Sequence, residues 1–158
     1  MVKDSLKSGI SFGLTSGAIT TLGLMVGLES ETNSKWVVIG GILTIAVADA
    51  FSDALGIHLS EESKKDSDGK QIWESTVATF LTKFLFAMSF LVPVFFLPLG
   101  EAVLISVLWG ILVLGLLSVR IAKAKNEKPL RVVIEHVGVA LLVITITHYL
   151  GKYISTLS

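Results

Sequence analysis

The 158-residue chain has no cysteine, only three prolines, and few charges, with Asp, Glu, Lys and Arg making up 16% of it. Without cysteine there is no disulfide framework, no thiolate metal site and no thiol nucleophile. Soluble domains carry about 25% charged and roughly 45–50% apolar residues. Here the apolar share is 52% and the mean hydropathy +0.76, which places the chain in a bilayer and excludes a small soluble enzyme. The 13 basic and 13 acidic residues cancel, so the excess positive charge that nucleic acid requires is absent. The sequence also lacks a phosphate-binding glycine loop, a Ser/His/Asp arrangement at motif spacing and a zinc-protease helix motif. No enzymatic activity is expected.

What the sequence does contain is long apolar runs. Five of them, at about residues 9–28, 36–59, 77–97, 102–119 and 132–150, are long enough to cross ~30 Å of hydrocarbon as helices. The expected fold is therefore an all-α integral membrane protein, a single five-helix domain over residues 1–158. A polar connection at 60–75, with Glu61, Glu62, Lys64, Lys65, Asp66, Asp68 and Lys70, is too short for a folded domain. Pro93, Pro98 and Gly100 mark a tight hairpin between the third and fourth spans, and Pro129 suits the first turn of the fifth. The first run exceeds the about 7–15 apolar residues of a signal peptide and lacks its small-residue cleavage site, so it reads as a membrane helix.

Positive charge sets the orientation. Lys3, Lys7, Lys64, Lys65, Lys70, Arg120, Lys123, Lys125, Lys128 and Arg131 fall on one side, against Lys35 and Lys152 on the other. The amino terminus is expected in the cytoplasm and the carboxyl terminus across the membrane. Lys83, near the cytoplasmic start of the third run, reads as a headgroup anchor whose stem snorkels. Trp36 and Trp73 fit the membrane boundaries, and Trp109 faces lipid or a neighbouring helix.

Gly9, Gly13 and Gly17 recur every fourth residue, clearing one stripe of the first helix for close approach by another. Packing inside one protomer and a two-fold dimer interface at Gly9, Gly13 and Gly17 are both open to such a stripe; five helices make a thin bundle, which favours a homodimer. Asp49 and Asp53 are the least expected residues. A carboxylate at mid-membrane costs roughly 2.5–3.5 kcal/mol on insertion scales, so such acids face a cavity, a partner or an ion. Four residues apart, they share a helix face. Counted from Trp36 at ~1.5 Å per residue, Asp49 lies ~20 Å deep, and Ser16 reaches a similar depth from the opposite side. These oxygens suit a hard or borderline divalent cation or a proton relay; the plainer reading is a structural acid, protonated or paired with lysine as Asp53 with Lys83. Because both acids share one helix, an intramembrane aspartyl protease is disfavoured. His58, Glu61 and Glu62, at i, i+3 and i+4, form a candidate ion-capture site where the second helix leaves the membrane, against the plainer reading of solvated surface charge. Glu135 caps the fifth helix or pairs with Arg131, with His136 beside it, and His148 lies at the opposite interface.

The stretches SGAITTLGLMVGL from Ser16 to Leu28 and VVIGGILTIAVADAFSDALGIHLSEES from Val37 to Ser63 resemble the vacuolar iron transporter family. So do the turn from Pro93 to Pro98 and the closing helix from Arg131 to Gly151, with Gly138, Ala140 and Thr145. The resemblance implies a five-helix protomer, a cytoplasmic amino terminus, and a dimer with its ion path between the first two helices of both protomers. The chain departs from the family pattern at several positions. Ser16 stands where the family has an aspartate, Ile45 where it has a glutamate, Asp53 where it has a methionine, and Asp49 at a normally small position. The long cytoplasmic metal-binding domain is reduced to the short polar connection. Exchanging thioether for carboxylate favours Mn²⁺, another oxygen-loving cation or protons over softer metals. The expected function is a homodimeric secondary transporter of Fe²⁺ or Mn²⁺, coupled to protons, with no tightly bound cofactor. The ion ligands would be Asp49, Asp53 and Ser16, with His58, Glu61 and Glu62 at the mouth. The alternative is a membrane scaffold that keeps the fold without transporting.

Overall fold

In a lipid interior each backbone N–H and C=O must be satisfied within its own segment, and the chain meets this with helices throughout. The computed structural model describes residues 2–64 and 68–157; Lys65 and Asp66 of the polar connection lie outside the described residues. In chain order the helices are α1 Val2–Thr32, α2 Lys35–Glu62, α3 Gly69–Ser89, α4 Leu91–Phe96, α5 Leu99–Lys125 and α6 Pro129–Ser155. With α3 and α4 taken as one broken span, five helices are long and apolar enough to cross a membrane. Each outruns its apolar run by a turn or more. The polar connection shrinks accordingly, because α2 continues to Glu62 and α3 begins at Gly69, capped by Asp68.

The breaks have local causes. Asn33 and Asn126 adopt left-handed conformations (φ 46° and 56°), which asparagine tolerates better than most residues, and they end α1 and α5. Pro93 has no N–H for the Ser89 carbonyl, and the third span is interrupted at Phe90, whose N–H turns back to the Ala87 carbonyl. Leu97, held extended by the following Pro98, closes the hairpin to α5. Gly100 lies inside the first turn of α5 rather than in the hairpin connection. Pro129 opens α6, as its spacing predicts.

Helix α1 is the hub, touching α2, α3, α5 and α6. The two ends of the bundle pack differently. Toward the α1–α2 turn the core is bulky, built from Leu22, Met25, Ile42, Phe90 and Val94 with their neighbours. Toward the α2–α3 connection it is made by close approach: a Cβ on Gly9 would stand 2.5 Å from the Ser75 carbonyl oxygen, and one on Gly13 2.8 Å from that of Thr79. The stripe Gly9, Gly13 and Gly17 is thus filled by α3 of the same chain, and its expected use as a dimer interface gives way to packing within the protomer. Gly23 and Gly27 receive Val143 and Thr147 of α6 in the same manner.

Candidate ion site

The buried stripe of α2 is small, with Ala46, Ala50 and Ala54 against its neighbours. Its opposite stripe, Gly40, Thr44, Ala48, Ser52 and Gly56, is exposed along its length. Asp49 and Asp53 sit on the border between the two, at the middle of α2, with side chains 26% and 19% exposed.

Both carboxylates turn to Lys83 of α3. Its Nζ lies 2.5 Å from Asp49 Oδ2, pairs with Asp53 Oδ2, and donates to Ser16 Oγ of α1 at 2.8 Å. The Asp49 contact is an ion pair without hydrogen-bond alignment. Lys83 is 1% exposed and stands near the middle of the span Gly69–Phe96. This corrects its reading as a headgroup anchor. The apolar run at 77–97 hides two further helical turns on the polar side, so the lysine lies too deep to snorkel. Gly17 makes room for its stem, since a Cβ there would stand 3.3 Å from Lys83 Cγ. The three residues that the sequence nominates as mid-membrane ligands, Asp49, Asp53 and Ser16, do converge on one point, and an ammonium occupies it. A lone basic residue amid an apolar run, counted from the Asp68 cap, was the available signal for this.

The predicted mouth residues are sent to different partners. Nδ1 of His58 is 3.0 Å from Thr76 Oγ1, whose own proton is donated to the Ile72 carbonyl. With the hydroxyl proton used in that way, the imidazole Nδ1–H is the donor of the pair. His58 also packs edge-on against Trp73. Glu61 pairs with Lys64 at 2.6 Å, and Glu62 is exposed. Among the described residues no group of three or more His, Asp or Glu is placed to hold a metal ion.

Elsewhere Glu135 pairs with Arg131 (3.0 Å), one of its two expected roles. His136 bonds Ser118 (2.8 Å) and His148 bonds Ser30 (2.7 Å), tying α6 to α5 and α1. Thr21 Oγ1 and Ser106 Oγ are buried without a hydrogen-bond partner, a feature that the sequence does not announce.

The fold defines a multi-pass helical protein whose five long helices suit a bilayer. Compared with family models and with curated proteins, the chain matches none.

Proposed function

We propose that the protein is a homodimeric secondary transporter that moves a divalent cation, Fe²⁺ or Mn²⁺, in exchange for protons. The observation that carries this reading is the convergence of Asp49, Asp53 and Ser16 at mid-span. Two carboxylates face one ammonium, so the cluster has a formal negative charge left over for a cation or a proton. An unbalanced acid at this depth is costly in a protein that makes no use of it. Carboxylate oxygens suit Mn²⁺ better than softer transition metals. The resemblance to vacuolar iron transporters, with its amino terminus in the cytoplasm, supports the same class.

A second copy of the chain would cover what one copy leaves open. Asp49 and Asp53 border the exposed stripe Gly40, Thr44, Ala48, Ser52 and Gly56, and a Cβ at Gly40 or Gly56 would meet nothing within 4 Å. Small residues at this spacing let two helix backbones close on each other in lipid. The ion path would run along this α2 face, with His58, Glu61 and Glu62 concentrating the ion at its cytoplasmic mouth.

Asp49→Asn in proteoliposomes loaded with a metal-sensing dye tests the reading. Mn²⁺ and Fe²⁺ flux should fall to background; flux equal to the unmodified protein's sinks the assignment. A membrane scaffold is the second reading, favoured by the fact that both acids already pair with Lys83 of the same chain. Thermal stabilisation by Mn²⁺ separates the two, because only a folded-state ligand raises stability.

A further inference from the structure

A lysine ammonium carries three N–H donors and no acceptor, so it is satisfied by a cup of three oxygens. Lys83 faces three oxygens: it donates to Asp53 of α2 and Ser16 of α1, and the Asp49 carboxylate stands beside it as an ion pair. The same three oxygens cannot hold a second cation while the ammonium is there. Unlike arginine, lysine carries its charge as a compact point at the end of four rotatable carbons. Its stem packs against Gly17 of α1, where a Cβ would stand 3.3 Å from Lys83 Cγ.

We infer that Lys83 is the resting occupant of the cation site, a tethered stand-in that fills the carboxylates when no cargo is bound and withdraws, charge and all, when cargo enters. This rests on the transporter reading above. It assigns Lys83 two effects. The ammonium competes with the cargo and so weakens its binding. It also balances one of the two carboxylates on the return step, so the carrier can return without cargo on a single exchanged proton. A lysine that merely clamps α2 to α3 would have neither effect.

Lys83→Gln tests this with Mn²⁺ as the probe, by binding in detergent and by flux in proteoliposomes. Mn²⁺ affinity should rise at least about tenfold, because no tethered cation competes. Net uptake should fall at least about tenfold while Mn²⁺-for-Mn²⁺ exchange persists, because only the unloaded return needs the lysine. Unchanged or weaker affinity, or equal loss of net uptake and exchange, overturns the role of Lys83 and leaves the transporter reading standing. No Mn²⁺ binding by the unmodified protein overturns both. Should the glutamine variant not fold, Lys83→Arg decides. Its guanidinium fork stays charged and bonded to the two carboxylates, so Mn²⁺ binding should vanish from a folded protein, and binding at the unmodified affinity overturns the inference.

Discussion

Lys83 Nζ and Asp49 Oδ2 stand 2.5 Å apart across the α2–α3 pair, the lysine 1% exposed and the carboxylate 26%. Breaking a buried pair by removing one partner leaves an uncompensated charge, which costs about 3–5 kcal/mol. Lys83→Met should lose stability on that scale in micelles, read by denaturant unfolding. Adding Asp49→Asn and Asp53→Asn should recover most of it, since replacing a whole buried charge cluster is far less costly than halving it. A single methionine variant as stable as the unmodified protein would falsify the ion pair's role in joining α2 to α3.

Glycines on α1 and α2 should respond in opposite ways. Gly13 faces the Thr79 backbone, where an added Cβ would stand 2.8 Å from the carbonyl oxygen and the helices must part. Gly13→Ala should therefore destabilise each protomer by about 1–3 kcal/mol, the usual cost of overpacking. Gly56 has open space around it. Gly56→Leu should leave protomer stability unchanged and, if two copies close on this stripe as proposed, convert dimer to monomer, as measured by light scattering with detergent correction. A dimer that survives it would place the interface elsewhere.

Much of this architecture is legible in the sequence, because apolar run length alone gives the number of spans and Pro93, Pro98 and Pro129 mark turns between them. Helix extents were less so: a hydropathy run ends where charge begins, whereas a helix continues through charge until a cap stops it. That difference misplaces Lys83. Measured from Val77 it looks superficial, whereas measured from Gly69 it is central. Asp49, Asp53 and Ser16 were findable because polar groups in lipid are costly and their depths match. The pairing of Asp53 with Lys83 is among the readings the sequence offers; that the same ammonium also meets Asp49 and Ser16 was not legible, because a single sequence does not say which face of α3 meets α2. The same limit applies to glycine stripes. Spacing shows that something approaches closely, and only the assembled bundle shows that α3 meets Gly9, Gly13 and Gly17 while the small stripe of α2 stays open.

The Thr76 hydroxyl fixes the His58 tautomer by accepting from Nδ1 while donating to the Ile72 carbonyl. Hydrogen bonds of this kind orient metal-binding histidines, and their loss costs about 10–100-fold in metal affinity. If His58 meets the cation at the mouth, Thr76→Val should raise the KM for Mn²⁺ uptake about tenfold with kcat unchanged, because capture precedes the mid-membrane step. An unaltered KM would leave His58 as a helix-packing residue against Trp73.

The absence of cysteine makes orientation directly measurable, since any single introduced thiol is the only one present. Ser63 and Glu127 lie at the α2–α3 and α5–α6 connections, which gather most of the basic residues, while Thr32 and Thr156 lie at the opposite end; all four are exposed. The excess of Lys and Arg directs the first pair to the cytoplasm. An impermeant maleimide added to intact cells should label Thr32→Cys and Thr156→Cys and spare Ser63→Cys and Glu127→Cys, provided the host membrane is the cell surface. In inverted vesicles the pattern should reverse. Labelling of both pairs from the same face would contradict a membrane crossing by α2 and α6, and the reversed pattern in intact cells would put Glu61, Glu62 and His58 outside, turning the proposed capture site toward uptake into the cell.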